Sequence, residues 1–512
     1  MSCAMLLDMS ADTFPGRVAV TSGNRSLTYH ELRQAAQEVA ARLRAGQYRY
    51  AALLDTQGLT APVLLFGAAY AGVPYVPLSY RLSRHELEEL LERLVPALLV
   101  AEPAHVEALR IPVGVEVIAS REILAVERPE ESIATDPYMA EGPHLDPDPI
   151  AIQLFTSGTT GKPKAAILRH QNVLSYVLGA GEFAVADEAE ATLISVPPYH
   201  VAGIAAVLSS TYASRRMVML PSFDATEWAR LCAVERISHA FLVPTMLARI
   251  VAHLETAETP QTAAATQQFP TLRAIAYGGG RMPPAVIERA LGRFPAVDFT
   301  NAYGLTETCS TVCLLGPEEH RAAQLSDDPV VRRRLGSVGK PLPGIELQIR
   351  NESGGMLAPD EPGVIFVRGR QVAGEYRDSG SLLDVDGWFC TRDRGCLDRD
   401  GYVFLDGRDD DVIVRGGENI SPGEIESVLL EHPAVADVAV VGVPSEEWGE
   451  TVGAAVVMKP GAAVTVTELQ QWVRARLRSS RVPEQILFRE QLPYNDMGKL
   501  LRRTVRAELG VV

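Results

Sequence analysis

Leu154-Phe-Thr-Ser-Gly-Thr-Thr-Gly-Lys-Pro-Lys164 is the most informative run in the chain. It lies between two apolar runs, Ile150 to Phe155 and Ala165 to Leu168, so it is expected to be a loop joining two strands. Thr156, Ser157, Thr159 and Thr160 supply hydroxyl donors. Gly158 and Gly161 let backbone N–H groups approach an anion closely, and Lys162 and Lys164 add positive charge. Such a loop suits a polyphosphate. It is not a Walker loop: two residues rather than four separate the glycines, and Pro163 stands where Ser or Thr should follow the lysine. On composition alone a solvated turn is an equal reading.

Outward from this loop, helices and strands alternate. Thr28-x-x-Glu31 reads as a capping box, with Leu32, Ala35, Ala36, Val39 and Leu43 following at helical spacing and Gly46 closing the element. Ser83-x-x-Glu86 repeats the signal ahead of Leu87, Leu90, Leu91 and Leu94. Short apolar runs at Met217 to Leu220, Ala240 to Pro244 and Leu272 to Tyr277 read as buried parallel strands. Ala61 to Leu78 carries no charge, but Pro62, Gly67, Gly72, Pro74 and Pro77 interrupt it. A buried helix, a Gly turn and a short strand are expected there rather than a membrane span.

The fold expected is α/β: a large N-terminal domain (1–408) of layered α/β subdomains with a small β-rich subdomain after about residue 340, then a small mobile α+β C-terminal domain (409–512). In the tail, strands are expected near Val435 to Val441 and Gly453 to Met458. A helix opened by Thr467-x-x-Gln470 is expected to turn Leu469, Trp472, Val473 and Leu477 inward.

Bulk composition narrows the function. The chain has 48 Lys and Arg against 64 Asp and Glu, a formal charge of −16, which disfavours broad binding to nucleic acid or to anionic membranes. The six cysteines form no C-x-x-C pair and no dense framework, so neither a disulfide-stapled domain nor a zinc site is indicated. The start, MSCAMLLDMSADTF, lacks the basic and apolar regions of a signal peptide, and a cytoplasmic location is expected.

The loop gains its meaning from a resemblance. TSGTTGKPK is similar to the signature of the adenylate-forming enzymes: acyl- and aryl-CoA synthetases, peptide-synthetase adenylation domains and beetle luciferases. The family's other motifs appear in order. They are LTYHEL (Leu27 to Leu32), AGVPYVPL (Ala71 to Leu78), PPYH ending at His200, YGGG (Tyr277 to Gly280) and NAYGLTET (Asn301 to Thr308). GSVGKPLPG follows from Gly336, GWFCTRDRG from Gly387, GRDDDVIVRGGENISPGEIE from Gly407 and NDMGKLLRR from Asn495.

The resemblance implies two half-reactions: a carboxylate displaces pyrophosphate from ATP to give acyl-AMP, and a thiol, usually of coenzyme A, then takes the acyl group. It implies roles for these residues. Lys499 bridges the carboxylate and the α-phosphate. Glu307 ligates magnesium together with Thr156, and Thr306 donates to the α-phosphate. Tyr303 stacks on adenine among Gly279, Gly280, Asn301, Ala302 and Gly304. Asp393 accepts the ribose hydroxyls, with Arg408 beside it. Residues Thr156 to Lys162 wrap the phosphates. Asp410 is the hinge about which the C-terminal domain swings, bringing Arg415, Gly416 and Gly417 to a thiol tunnel gated by His200.

Two departures stand out. The family usually has Thr-Gly-Asp where this chain has Thr391-Arg392-Asp393, and the segment between Tyr376 and Gly387 is shorter than usual. Tyr199-His-Val-Ala-Gly203 lacks the acid that binds an α-amino group in peptide synthetases, which argues against amino-acid substrates. The acid pocket implied by the resemblance is His200, Val201, Gly203, Ile204, Val243, Gly278, Ala302, Cys309 and Cys313, mostly small or apolar, so a hydrophobic carboxylic acid is expected. The cofactors and substrates implied are ATP, Mg2+ and coenzyme A. The alternative is an enzyme that hands acyl-AMP to a carrier protein or partner ligase. A luciferase-like oxygenase and an inactive binding protein are the remaining readings, and the intact Lys499 and Glu307 disfavour the last. Oligomeric state is open between monomer and dimer.

Overall fold

The computed structural model describes residues 1–124, 149–156, 163–256, 269–408, 411–416, 418–495 and 500–510. Ser157, Gly158, Thr159, Thr160, Gly161, Lys162, Asp410, Gly417 and Lys499 therefore lie outside the described residues. The chain divides into two compact units. The first holds Met1–Gln324, Pro341–Glu346 and Arg368–Phe389; the second holds Leu325–Lys340, Leu347–Val367 and Cys390–Val512.

Two sheets organise the first unit. One runs through Ser310–Leu315, Asp298–Leu305, Ala274–Gly278, His239–Leu242, Ala191–Ile194, Arg216–Met219, Val18–Ser22 and Arg25–Thr28. Its central pairs are parallel, as the apolar runs predict. The other runs Gly380–Ser381, Glu375–Tyr376, Lys164–Arg169, Ile150–Thr156, Tyr75–Pro77, Tyr50–Leu54, Ala97–Ala101 and Val115–Ala119. Ile150–Thr156 and Lys164–Arg169 are antiparallel neighbours, so the 157–162 run does connect two paired strands.

Helices fill the layers between. Tyr29–Ala45 opens on the reciprocal box of Thr28 and Glu31, and Arg84–Glu92 on that of Ser83 and Glu86. The uncharged run forms the buried helix Thr60–Ala71, a left-handed Gly72 and the strand Tyr75–Pro77. It packs with Tyr29–Ala45 and Val201–Tyr212 into one apolar core, because its side chains are hydrophobic on every face. No described helix is long and apolar enough to cross a membrane.

The second unit carries most of the sheet Glu346–Arg350, Gly363–Arg368, Phe389–Leu397 and Val403–Arg408. It also holds Val435–Ser445 against Gly449–Met458, flanked by Ile413–Arg415, Glu418–Ile420 and Gln485–Arg489. Ile425, Leu429, Val440, Val452, Leu469 and Val473 lie in its core.

One expectation needs correction. The helix Val466–Arg474 is capped by Thr465 and Glu468, not by Thr467 and Gln470. Thr465 has extended backbone and its N–H reaches the Glu468 carboxylate at 2.8 Å; an anionic acceptor at the helix start is stronger than the Gln470 amide two residues on. Gly46 closes the Tyr29–Ala45 helix as its C-cap, with φ −80°, and Gln47 follows at φ 50°.

Candidate active site

The first unit brings Tyr277 opposite Asn301 and Gly278 opposite Ala302, where the strand Ala274–Gly278 ends beside the middle of the parallel strand Asp298–Leu305. Gly278 is needed there, because a Cβ would lie 2.1 Å from the Ala302 carbonyl oxygen. Gly304 is needed for the same reason: its Cβ would meet the Ser310 carbonyl oxygen at 1.7 Å. Asn301 and Tyr303 are buried, and Gly279 and Gly280 are exposed beyond the strand end, with Gly279 at φ 80°.

Tyr277 anchors this end. Its hydroxyl donates to His320 Nε2 at 2.8 Å, and His320 Nδ1 donates to the Gly316 carbonyl at 2.7 Å. Both rings are buried, so each bond contributes about 1 kcal/mol and removing either leaves an unsatisfied group. Sequence reasoning missed His320, which lies 43 residues from Tyr277.

Glu307 sits in the 3-10 turn Thr306–Thr308. Thr308 Oγ1 accepts the Leu305 N–H at 2.9 Å and donates to the Ser310 carbonyl at 2.7 Å. A strap from the Gln371 to Tyr376 region clamps this turn. Gln371 Nε2 donates to the Thr308 and Thr311 carbonyls at 3.1 and 2.7 Å. The N–H groups of Ala373 and Gly374 reach the Glu307 carbonyl at 2.9 and 3.0 Å, and the Tyr376 hydroxyl donates to the Glu307 carboxylate. Tyr376 also pairs across the sheet with Ala166, and the Lys164 ammonium lies 5.9 Å from its ring centroid. Thr156, paired with Lys164, closes the strand that leads into the 157–162 run. The partly exposed carboxylate of Glu307, held in place and beside that strand pair, fits a hard cation carried in with phosphate oxygens.

His200 is the N-cap position of the helix Val201–Tyr212. Burial, and secondarily Arg81, pushes its pKa down to about 3, so the imidazole is neutral at working pH. The Tyr199 ring lies 4.6 Å from it, and burial raises the Tyr199 hydroxyl to about 12. Gly203 and Ile204 face inward, onto a cavity of about 10 Å3 shared with Gln57, Ala61, Leu65 and Tyr75. Val201 is half-buried. Val243 is fully buried and lies beside Gly279, its Cγ1 3.7 Å from where a Cβ there would stand. Cys313 is buried opposite Tyr303, and Cys309 is buried in the main core at φ 54°.

Buried neutral histidines give a pH prediction. Burial lowers His170 and His239 to about 4 and His200 to about 3, and it lowers His320. Their ordinary value is 6.5, so the unfolded chain binds more protons than the native one as pH drops through that value. Stability should therefore fall on acidification, with proton uptake on unfolding between about pH 6.5 and 5. Calorimetry in buffers of different ionisation heat checks this; unfolding without proton uptake would contradict it.

In the second unit, Asp393 is buried and accepts Arg408 Nε at 3.1 Å. Its own N–H reaches Thr391 Oγ1 at 3.1 Å, and Thr391 donates to the Ile365 carbonyl at 2.8 Å. Arg392 is exposed with φ 60° inside the strand Phe389–Leu397. That left-handed backbone is free to glycine and costs another residue about 1 kcal/mol, which accounts for the glycine usual at this place in resembling enzymes. Arg392→Gly should leave stability to denaturant unchanged or raise it by up to about 1 kcal/mol; a clear loss would show that the arginine side chain outweighs the strain.

Arg415 is tied to the Ser480 carbonyl at 3.0 Å and to Glu484 at 2.5 Å. Gly416 donates its N–H to the Trp448 carbonyl at 2.8 Å, and the Trp448 ring lies 5.4 Å from the Arg415 guanidinium. Sequence reasoning missed Trp448.

Comparison with known proteins defines the class of nucleotide-using enzymes to which this chain belongs. Residues 7–377 match the AMP-binding enzyme family, and residues 424–499 match the AMP-binding enzyme C-terminal domain. The chain is 31% identical over 499 residues to a 2-succinylbenzoate–CoA ligase of a Geobacillus species, covering 96% of this chain and 94% of that protein. It is 32% identical over 509 residues to a fatty acid–[acyl-carrier-protein] ligase, ScoC, of Streptomyces coeruleorubidus, covering 96% and 93%. The fold superposes on the O-succinylbenzoate coenzyme A synthetase of Bacillus subtilis, solved with ATP and magnesium, with a TM-score of 0.78, 28% identity and 98% coverage of both chains. The chain belongs to the AMP-binding, adenylate-forming enzyme family.

Proposed function

We propose that this enzyme is an AMP-forming acid–thiol ligase that activates a hydrophobic carboxylic acid with MgATP and passes the acyl group to coenzyme A. In the first step a carboxylate oxygen attacks the α-phosphorus, and the bond to the β-phosphate breaks to release pyrophosphate. In the second the thiol sulfur attacks the acyl carbonyl, AMP leaves with its oxygen, and the thiol proton is lost. Two anions meet in the first step, so fixed positive charge at the phosphates is the main requirement.

In this reading Glu307, steadied by Tyr376, takes the magnesium, with Thr156 supporting it and Thr306 donating to the α-phosphate. Ser157, Gly158, Thr159, Thr160, Gly161 and Lys162 wrap the β- and γ-phosphates, and Lys499 bridges the two reactants. Gly279, Gly280, Asn301, Ala302, Tyr303 and Gly304 receive the adenine, and Asp393 with Arg408 the ribose. Neutral His200 stands at the thiol entry, and Asp410, Arg415, Gly416 and Gly417 serve the domain swing. The functional boundary is placed after Arg408, and cysteine usage suits a reducing, cytoplasmic setting.

The observation that carries the reading is the clamp on the Glu307 turn: Ala373 and Gly374 donate to the Glu307 carbonyl, Gln371 to the carbonyls of Thr308 and Thr311, and Tyr376 to the Glu307 carboxylate, which fixes a single acid beside the strands flanking the 157–162 run. The apolar character of Val201, Val243, Gly278, Ala302, Cys309 and Cys313 supports a hydrophobic acid. A panel of aryl, alicyclic, acyl and amino acids in ATP–pyrophosphate exchange tests it. Exchange with hydrophobic acids is expected; exchange with amino acids alone would sink it. Transfer to a carrier protein is the second reading, favoured by the similarity to the ScoC ligase.

A further inference from the structure

A small cavity lies against the helix Val201–Tyr212, which starts directly after His200. Its volume is about 10 Å3, room for one water-sized group. Gly203, Ile204 and Val207 of that helix line it together with Gln57, Ala61 and Tyr75. No described charged side chain lines it.

Gln57 is the member that packing does not explain. It lies between the strand Tyr50–Leu54 and the helix Thr60–Ala71 and is 1% exposed. Its Nε2 donates to the Val196 carbonyl at 3.1 Å. That bond fixes the amide, because turning it over would set one carbonyl against another. Gln57 Oε1 is buried and has no hydrogen-bond partner among the described residues. The Val196 carbonyl also supports the helix: a Cβ on Gly203 would stand 3.1 Å from it and 2.7 Å from the Pro197 carbonyl. Gln57 is thus tied to the loop on which the first turn after His200 rests, with one acceptor left to offer.

A buried acceptor without a donor is costly, so the cavity calls for a donor. The donor must be neutral, since an ammonium would be desolvated there with no counter-charge. A carboxylate would bring a second acceptor to the first. The volume admits one hydroxyl and little more.

We propose that Gln57 is a specificity-determining residue whose Oε1 accepts from one hydroxyl carried on the hydrophobic part of the acid. The inference rests on the acid pocket proposed above, which shares Gly203 and Ile204 with this cavity. It narrows the substrate class to hydrophobic acids bearing a neutral hydroxyl away from the carboxylate. A site with a buried acceptor discriminates strongly against the analogue that lacks the donor, because the acceptor is then left unpaired.

Paired acids in ATP–pyrophosphate exchange test this: para-hydroxycinnamate with cinnamate, meta-hydroxybenzoate with benzoate, and ω-hydroxyoctanoate with octanoate. In at least one pair the wild type should favour the hydroxylated member about tenfold to a hundredfold in kcat/KM. Gln57→Met keeps the length of the side chain and should bring that ratio to about one. Ala61→Val fills the cavity, leaves the Gln57–Val196 bond in place, and should do the same. General damage to the fold lowers both members of a pair alike and leaves their ratio standing. A wild-type ratio near one in every pair, or a preference that survives both substitutions, would overturn the proposal. So would a resident water at Gln57 Oε1 in crystals grown with the hydroxylated acid. Exchange with no acid of the panel would instead overturn the functional reading beneath it.

Discussion

Glu307→Gln should reduce ATP–pyrophosphate exchange by about 10² to 10³-fold, the scale of losing one preorganised charge contact at a reacting centre. The substitution keeps the size of the side chain and its capacity to accept from Tyr376, while removing the charge that a magnesium–phosphate pair needs. The turn itself should persist. Its hold comes from the Glu307 carbonyl, which accepts from Ala373 and Gly374, and from Gln371 on the neighbouring carbonyls. The melting temperature should therefore change little, since a partly exposed carboxylate is replaced by its isostere. Excess magnesium should recover only part of the rate. Exchange measured across a magnesium titration checks this, and near-normal exchange would remove Glu307 from the site.

Lys499→Ala should slow adenylation by about 10³-fold or more, because its charge offsets the repulsion of two anions most strongly as they come together in the transition state. The same variant, given synthetic acyl-AMP and coenzyme A, should still form the thioester. The flanking contacts, Tyr494 to Asp437 and the Leu501 N–H to the Pro493 carbonyl, do not involve the lysine side chain and should persist. Rapid-quench measurement of each half-reaction separates the steps. Equal losses in both would show that Lys499 is not confined to adenylation.

Local signals carried much of the fold. The boxes at Thr28 and Ser83 were readable because both partners lie within one helical turn, and the Ala61 to Leu78 run because glycine and proline punctuate it. The cap at Thr465 was misread because two overlapping Thr-x-x-Glu/Gln patterns compete there, and only backbone conformation decides between them. Of the site, the motif residues were readable but their supports were not. Tyr376 meets Glu307 across 69 residues, and His320 meets Tyr277 across 43. Single tyrosines and histidines carry no pattern that announces such long-range contacts. Arg392 was visible as a departure, yet its cause needed the backbone: a left-handed φ within a strand has no sequence signature beyond the missing glycine.

Identification of the products tests the central claim most directly. Wild-type enzyme is incubated with MgATP and its fastest-exchanging acid, with and without coenzyme A, and the mixtures are resolved by mass spectrometry. The account predicts acyl-AMP and pyrophosphate without the thiol, and acyl-CoA with matching AMP when it is present. Acyl-AMP that persists in the presence of coenzyme A, or ADP and phosphate in place of AMP and pyrophosphate, would contradict it.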